Sequence, residues 1–200
     1  MRRLLALIAL AACDGTEPLG EARTFRDDFE PPDAGWRFNG EGARDEDGFI
    51  LVSTVGRLPS AEYTLPSPFG PGWDFEVNAG SQAGEPCLDV EMSTGDSRRH
   101  GWFLQLDPAR DYWALQVGDG EGWERLASSI GQDAVENPTT ARLMVKGDTV
   151  GLWLGNSQVL ETTIEDGAPN VVDINLGVSR CNLVAGVAMY DWVQIKELPR

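Results

Sequence analysis

Between residues 100 and 160 the chain turns back on itself at short, regular intervals, and this limits the fold more than any other feature. Asp107-Pro108-Ala109-Arg110, Gly118-Asp119-Gly120, Lys146-Gly147-Asp148 and Gly155-Asn156-Ser157 are turn formers. Between them apolar and polar residues alternate, as in Tyr112-Trp113-Ala114-Leu115-Gln116-Val117. A period of two marks a strand with one face buried. Many such strands separated by turn signals predict an all-β fold, a two-sheet antiparallel sandwich. Strands are expected at residues 25–29, 48–54, 61–65, 73–79, 88–92, 101–106, 112–117, 123–127, 142–146, 150–154, 159–164, 171–178 and 184–195. Residues 130–136 could hold one helical turn. Pro66, Pro68 and Pro71 are expected to forbid regular structure until Trp73.

The chain begins with a different kind of signal. Met1-Arg2-Arg3 is positive and Leu4 to Leu10 is apolar but too short to span a bilayer. Together they make a secretory signal segment. It runs into Leu10-Ala11-Ala12-Cys13, which resembles the lipobox of bacterial lipoproteins. The resemblance implies a thioether diacylglycerol on Cys13 and an acylated amine. Each buried methylene contributes ~0.8 kcal/mol, so two or three acyl chains anchor stably without a transmembrane helix. The alternative is an ordinary signal peptide in which Cys13 falls by accident. Residues 1–12 are thus the expected signal peptide, 13–23 the lipidated Cys and a polar tether, and 24–198 one domain. The expected location is the bacterial cell envelope, on a lipid anchor facing the periplasm or the exterior. Asp14 does not settle which membrane holds it.

Charge and residue counts exclude several functions. The formal net charge is −16, and loss of residues 1–12 with Arg2 and Arg3 takes it to −18. Such a surface repels phosphate backbones and anionic lipid, so no nucleic-acid partner is expected. His100 is the one histidine, in a loop-like setting, which leaves little for a triad or a His/Cys zinc site. With Cys13 lipidated, Cys87 and Cys181 remain. An exported pair is expected to form a disulfide, two free buried thiols being the alternative.

The order of motifs resembles the concanavalin A-like lectin/glucanase jelly rolls, especially their laminin-G-like branch. The residues that carry it are Asp27-Asp28-Phe29 with Gly35-Trp36, then Asp74-Phe75-Glu76-Val77 and Tyr112-Trp113-Ala114-Leu115. The ribbon from Arg142 to Asn156 and Tyr190-Asp191-Trp192-Val193 complete the set. The resemblance implies a jelly roll of two stacked antiparallel sheets with first and last strands paired, and sugar recognition on one sheet's open face. Laminin-G-like relatives often hold calcium, which Asp27, Asp28 and Asp191 could ligate as hard carboxylates. The alternative makes these three turn and edge residues, with no cofactor at all.

Strand alternation sorts the side chains. Leu88, Val90, Met92, Trp102, Leu104, Leu106, Trp113, Leu115 and Val117 belong to a core face. Asp89, Glu91, Phe103, Gln105, Tyr112 and Gln116 are then left on the open face as a candidate ligand patch. Aromatic rings beside amides and carboxylates suit a sugar's C–H faces and hydroxyls. An ordinary solvated face is the alternative, and a register slip of one residue would reverse each assignment. Trp153 faces away from Val150, Leu152 and Leu154 and is expected to cover the other sheet as core, stacking on a ligand being the alternative. Cys87-Leu88-Asp89-Val90-Glu91 also resembles the Glu-x-Asp-x-Glu signature of laminarinase-type glucanases, but Cys87 stands at the nucleophile position. Retaining hydrolysis needs two carboxyl groups flanking the scissile bond, so no catalytic residue is assigned. The expected function is non-catalytic binding of a glycan or other envelope ligand. A structural or protein-binding envelope lipoprotein and a glycoside hydrolase are the alternatives. The sequence does not set the oligomeric state.

Overall fold

The computed structural model describes residues 22–30, 35–40, 42–55, 59–70, 72–95, 100–165, 169–181 and 185–199. Cys13 and the signal and tether segments lie outside them. The described residues contain strands and turns and no helix.

In chain order the strands are β1 (Thr24–Asp27), β2 (Arg37–Asn39), β3 (Ala43–Glu46), β4 (Phe49–Ser53), β5 (Ser60–Phe69), β6 (Gly72–Gly84), β7 (Cys87–Ser93) and β8 (His100–Asp107). They continue as β9 (Tyr112–Asp119), β10 (Trp123–Ile130), β11 (Thr139–Lys146), β12 (Thr149–Leu154), β13 (Ser157–Thr163), β14 (Val171–Ser179) and β15 (Gly186–Glu197). The first sheet has the order β13-β12-β11-β6-β15-β4-β3, with β1 also paired to β15. The second has the order β10-β9-β8-β7-β14-β5-β2. Every pairing is antiparallel, and first and last strands pair from Thr24↔Lys196 to Asp27↔Val193. The fold is a two-sheet jelly-roll sandwich.

Alternation generates the core. On β7 Leu88, Val90 and Met92 point between the sheets, as do Trp102, Leu104 and Leu106 on β8, and all six are fully buried. From β6 and β11 of the first sheet, Trp73, Phe75, Val77, Leu143 and Val145 meet them. Trp73 and Trp102 touch edge to face across the interface, centroids 5.8 Å apart at 84°, a geometry the ring quadrupoles favour. Tyr190 of β15 crosses the sandwich. Its hydroxyl donates to the backbone carbonyls of Gly177 at 2.6 Å and Asp89 at 3.0 Å on the second sheet. Full burial and the nearby Asp89 carboxylate hold this phenol well above its ordinary value.

Four expectations are corrected. β5 runs through Pro66 and Pro68. Its pairing with β14 shifts between Thr64↔Asp173 and Phe69↔Val171, so the prolines fall where the ladder asks no amide of them. Ile130 closes β10, 131–133 bend and 134–136 are irregular, so this stretch holds no helical turn. His100 opens β8, opposite Asp119, instead of lying in a loop. Trp153 faces outward on the first sheet, half-buried, with its ring over Gly151 and the Arg142 guanidinium 5.1 Å from the ring centroid. Arg142 is held there by two 2.7 Å bonds to Asp74. An arginine stem and a bare glycine give the indole a dry bed without a covering sheet.

Cys87 and Cys181 form a disulfide, Cα atoms 5.6 Å apart and 94 positions apart in sequence. It ties the start of β7 to the chain leaving β14.

Candidate functional site

Register lays the outward side chains of the second sheet in rows across the strands. One row runs Glu62, Asn175, Glu91, Phe103, Gln116 and Arg125. The next runs Ser60, Gly177, Asp89, Gln105 and Ala114. A third runs Asp173, Ser93, Gly101, Gly118 and Trp123. Asp107, Tyr112 and Ile130 form another at the far end.

A groove of about 480 Å³ is sunk into this face, lined by Glu62, Asp89, Glu91, Phe103, Asp173 and Asn175 among others. Gly177 keeps its floor low: a Cβ there would stand 3.6 Å from that of Asp89. The Phe103 ring makes one wall. It leans on Trp123, centroids 5.6 Å apart and planes at 41°.

Asp89 is the most constrained group at the base. Its Oδ1 accepts from Gln105 Nε2 at 2.9 Å and Ser179 Oγ at 3.2 Å, and Gln105 Nε2 also donates to Ser179 Oγ at 3.1 Å. Burial pushes its carboxyl up to about 6, partly offset by the bonds from Gln105 and Ser179, which favour the charged form. Away from the groove, in the far row with Tyr112, Asp107 is 1% exposed, and its Oδ2 has no hydrogen-bond partner while Oδ1 accepts from the Ala109 amide. Burial raises its pKa too.

All six residues of the expected patch point out from the same sheet. Asp89, Glu91 and Phe103 line the groove. Gln105 acts through its bond to Asp89, and Gln116 lies one strand beyond Phe103. Tyr112 stands apart, opposite Asp107 and Ile130. Glu62, Asp173, Asn175 and Trp123 complete the surroundings and escape a reading by sequence. The first three sit on β14, which neighbours β7 in space but not along the chain, and on β5, one strand beyond it. Trp123 is hidden by a bulge between Arg125 and Ala127 that breaks the alternation of β10.

The catalytic and calcium alternatives meet specific geometry. Cys87, at the glucanase nucleophile position, is fully buried in its disulfide, so no carboxylate stands opposite Glu91 from there. The Asp27 carboxylate accepts from the Phe29 amide at 2.8 Å and Trp36 Nε1 at 3.0 Å. Asp28 pairs with Arg26. A cation at this corner would share these carboxylates with those bonds.

No protein-family model and no curated protein matches the chain. Solved structures do match. The CBM2 module of the evolved Dit of Lactobacillus casei BL23 phage J-1 superposes with a TM-score of 0.64 at 12% identity, over 90% of this chain and 99% of that one. A β-glucanase of Bacillus licheniformis gives 0.63 at 12% identity, over 88% and 98%. The carbohydrate-binding module CBM66 of Bacillus subtilis gives 0.52 at 12% identity, over 82% and 92%. At such identities the likeness is one of fold: this chain shares the two-sheet jelly roll of carbohydrate-binding modules and glucanases.

Proposed function

We propose that the protein is a lipid-anchored lipoprotein of the bacterial cell envelope whose jelly-roll domain binds a glycan without transforming it. The observation that carries this reading is the groove beside Phe103. It sets an aromatic face next to carboxylates and an amide, Glu62, Glu91, Asp173 and Asn175, which is the mix a sugar ring can use. Carbohydrate-binding modules among its structural neighbours support it. The disulfide at Cys87 supports binding over hydrolysis. The ligand patch is Asp89, Glu91, Phe103 and Gln105, with Tyr112 and Gln116 as a flank that the groove does not reach.

The test is binding of the full-length protein in detergent to an immobilised panel of neutral and acidic glycans. Phe103→Ala removes a stacking partner and should weaken binding ~tenfold or more, the loss of about 1.4 kcal/mol. Binding unchanged by Phe103→Ala would remove the groove as the site. No binding across the panel would favour a structural or protein-binding envelope role. Release of reducing sugar, abolished by Glu91→Gln, would restore the hydrolase reading.

A further inference from the structure

At the far end of the second sheet the disulfide has an acidic neighbour. A carboxylate oxygen of Asp107 and the sulfurs of Cys87 and Cys181 all lie within 4.8 Å of one another. Register brings them together. Leu88 and Leu106 are cross-strand partners that point into the core. The next step along β7 and β8 therefore turns Cys87 and Asp107 to the opposite side. Ser179 of β14 stands across from Cys87, two residues before Cys181. We propose that the Cys87–Cys181 bridge is a site of thiol–disulfide exchange with a dithiol, in which Asp107 carries the proton of Cys87. Such exchange is a second activity, independent of the glycan groove.

The two sulfurs are unequal. Cys87 is fully buried, whereas Cys181 is half-buried. An incoming thiolate reaches Cys181 first, which makes Cys87 the leaving group. Cys87 then leaves into a dry setting, where burial disfavours a bare thiolate. Asp107 is placed to supply the missing proton. Its Oδ1 accepts from the Ala109 amide at 3.1 Å, while Oδ2 is buried without a hydrogen-bond partner. A buried polar atom left unpaired is costly. A proton on this carboxyl lessens that cost and lies within reach of the sulfurs, directly or through one water. A thiol is a weaker acid than a carboxyl, so transfer from Asp107 to the Cys87 thiolate runs downhill.

Atoms and electrons balance. One thiolate of the dithiol attacks Cys181 Sγ, forming a mixed disulfide as the Cys87–Cys181 bond breaks. Cys87 takes the electron pair and the Asp107 proton, and Asp107 is reprotonated from water. The second thiol loses its proton to water and attacks the first thiol's sulfur. Cys181 leaves and takes up a proton. Two electrons have passed from the dithiol, now a disulfide, to the bridge, now two thiols.

The charges around Asp107 fix how the step responds to pH. Burial favours its protonated form, the Ala109 bond and the Arg110 charge oppose it, and Glu85 adds to burial. Tyr112 stands opposite on β9, and Asp89 occupies the neighbouring row of the same sheet. Arg180, beside Cys181, donates to the Thr54 carbonyl at 3.2 Å. All of these are shared with an Asp107→Asn variant, which keeps an acceptor for Ala109 and loses the proton.

The experiment follows opening of the bridge by dithiothreitol in the full-length protein in detergent. Newly alkylated cysteines are counted by intact mass, and rates are expressed per dithiothreitol thiolate. The native protein should open roughly tenfold or more faster than Asp107→Asn at acid pH, and the ratio should fall as pH rises and Asp107 ionises. A ratio of one, or one that is the same at every pH as a purely structural defect would give, would overturn the proposal. A second measurement needs no variant. Glutathione, a monothiol, should be trapped by acid quenching as a mixed disulfide on Cys181 of the native protein, read by peptide mapping. An adduct on Cys87 instead, or no adduct while the bridge stays closed, would overturn it too.

Discussion

Asp89 carries a cost that its neighbours only partly offset. An unfolded aspartate titrates near 3.8, and the folded carboxyl is pushed up to about 6. The fold therefore prefers the protonated form. The stability this gives is fully present below 3.8 and is lost as pH rises through about 6. A displacement of that size corresponds to at most about 3 kcal/mol. Asp89→Asn keeps an acceptor for Gln105 and Ser179 without the charge. Urea unfolding should find this variant and the native protein separating across that pH window, with the variant the more stable at pH 7. A separation that shrinks as pH rises would contradict the assignment. Asp107, raised in the same direction, is common to both proteins and cancels in the comparison.

At the scale of the element, the disulfide is the feature with the largest expected effect. It closes a loop of 94 positions, worth about 4–5 kcal/mol in the chain-entropy model. Cys87→Ser with Cys181→Ser should shift the urea midpoint down by a corresponding amount, and reduction of the native protein should do the same. A midpoint unmoved by either would mean that the link adds nothing to β7 and β14 pairing.

Elements also show where sequence reading stops. β7, β8 and β9 are consecutive, regular and joined by short connections, so alternation alone defines their two faces. Asp89, Glu91, Phe103 and Gln105 can be placed together on that basis. Asn175 and Glu62 cannot, because nothing local to the sequence says that β14 lies beside β7 with β5 next to it. A bulge re-aims the side chains of β10, and Trp123 is lost with it. Trp153 is misplaced for another reason: alternation gives its side of β12 correctly, but a large indole argues for a covering sheet. The Arg142 side chain and the bare backbone of Gly151 do that covering locally.

For the whole molecule, the anchor makes the plainest prediction. Cys13→Ala should move the protein from the membrane fraction to the soluble one, and intact-mass analysis of the native protein should show the added diacylglycerol and acyl chain. A membrane-bound Cys13→Ala variant, or an unmodified Cys13, would sink the lipoprotein reading. The strongly acidic charge belongs to this scale as well: it disfavours adhesion to anionic headgroups, so on the proposed lipoprotein reading attachment would fall to the acyl chains.

The place of β1 has a bearing on how such a molecule would stand. The described chain enters through a strand hydrogen-bonded to β15 of the first sheet, whereas the recess lies on the outer surface of the opposite sheet. On the proposed lipoprotein reading, the anchor would therefore be joined through the sheet that does not carry the recess, leaving the recessed sheet free of that attachment.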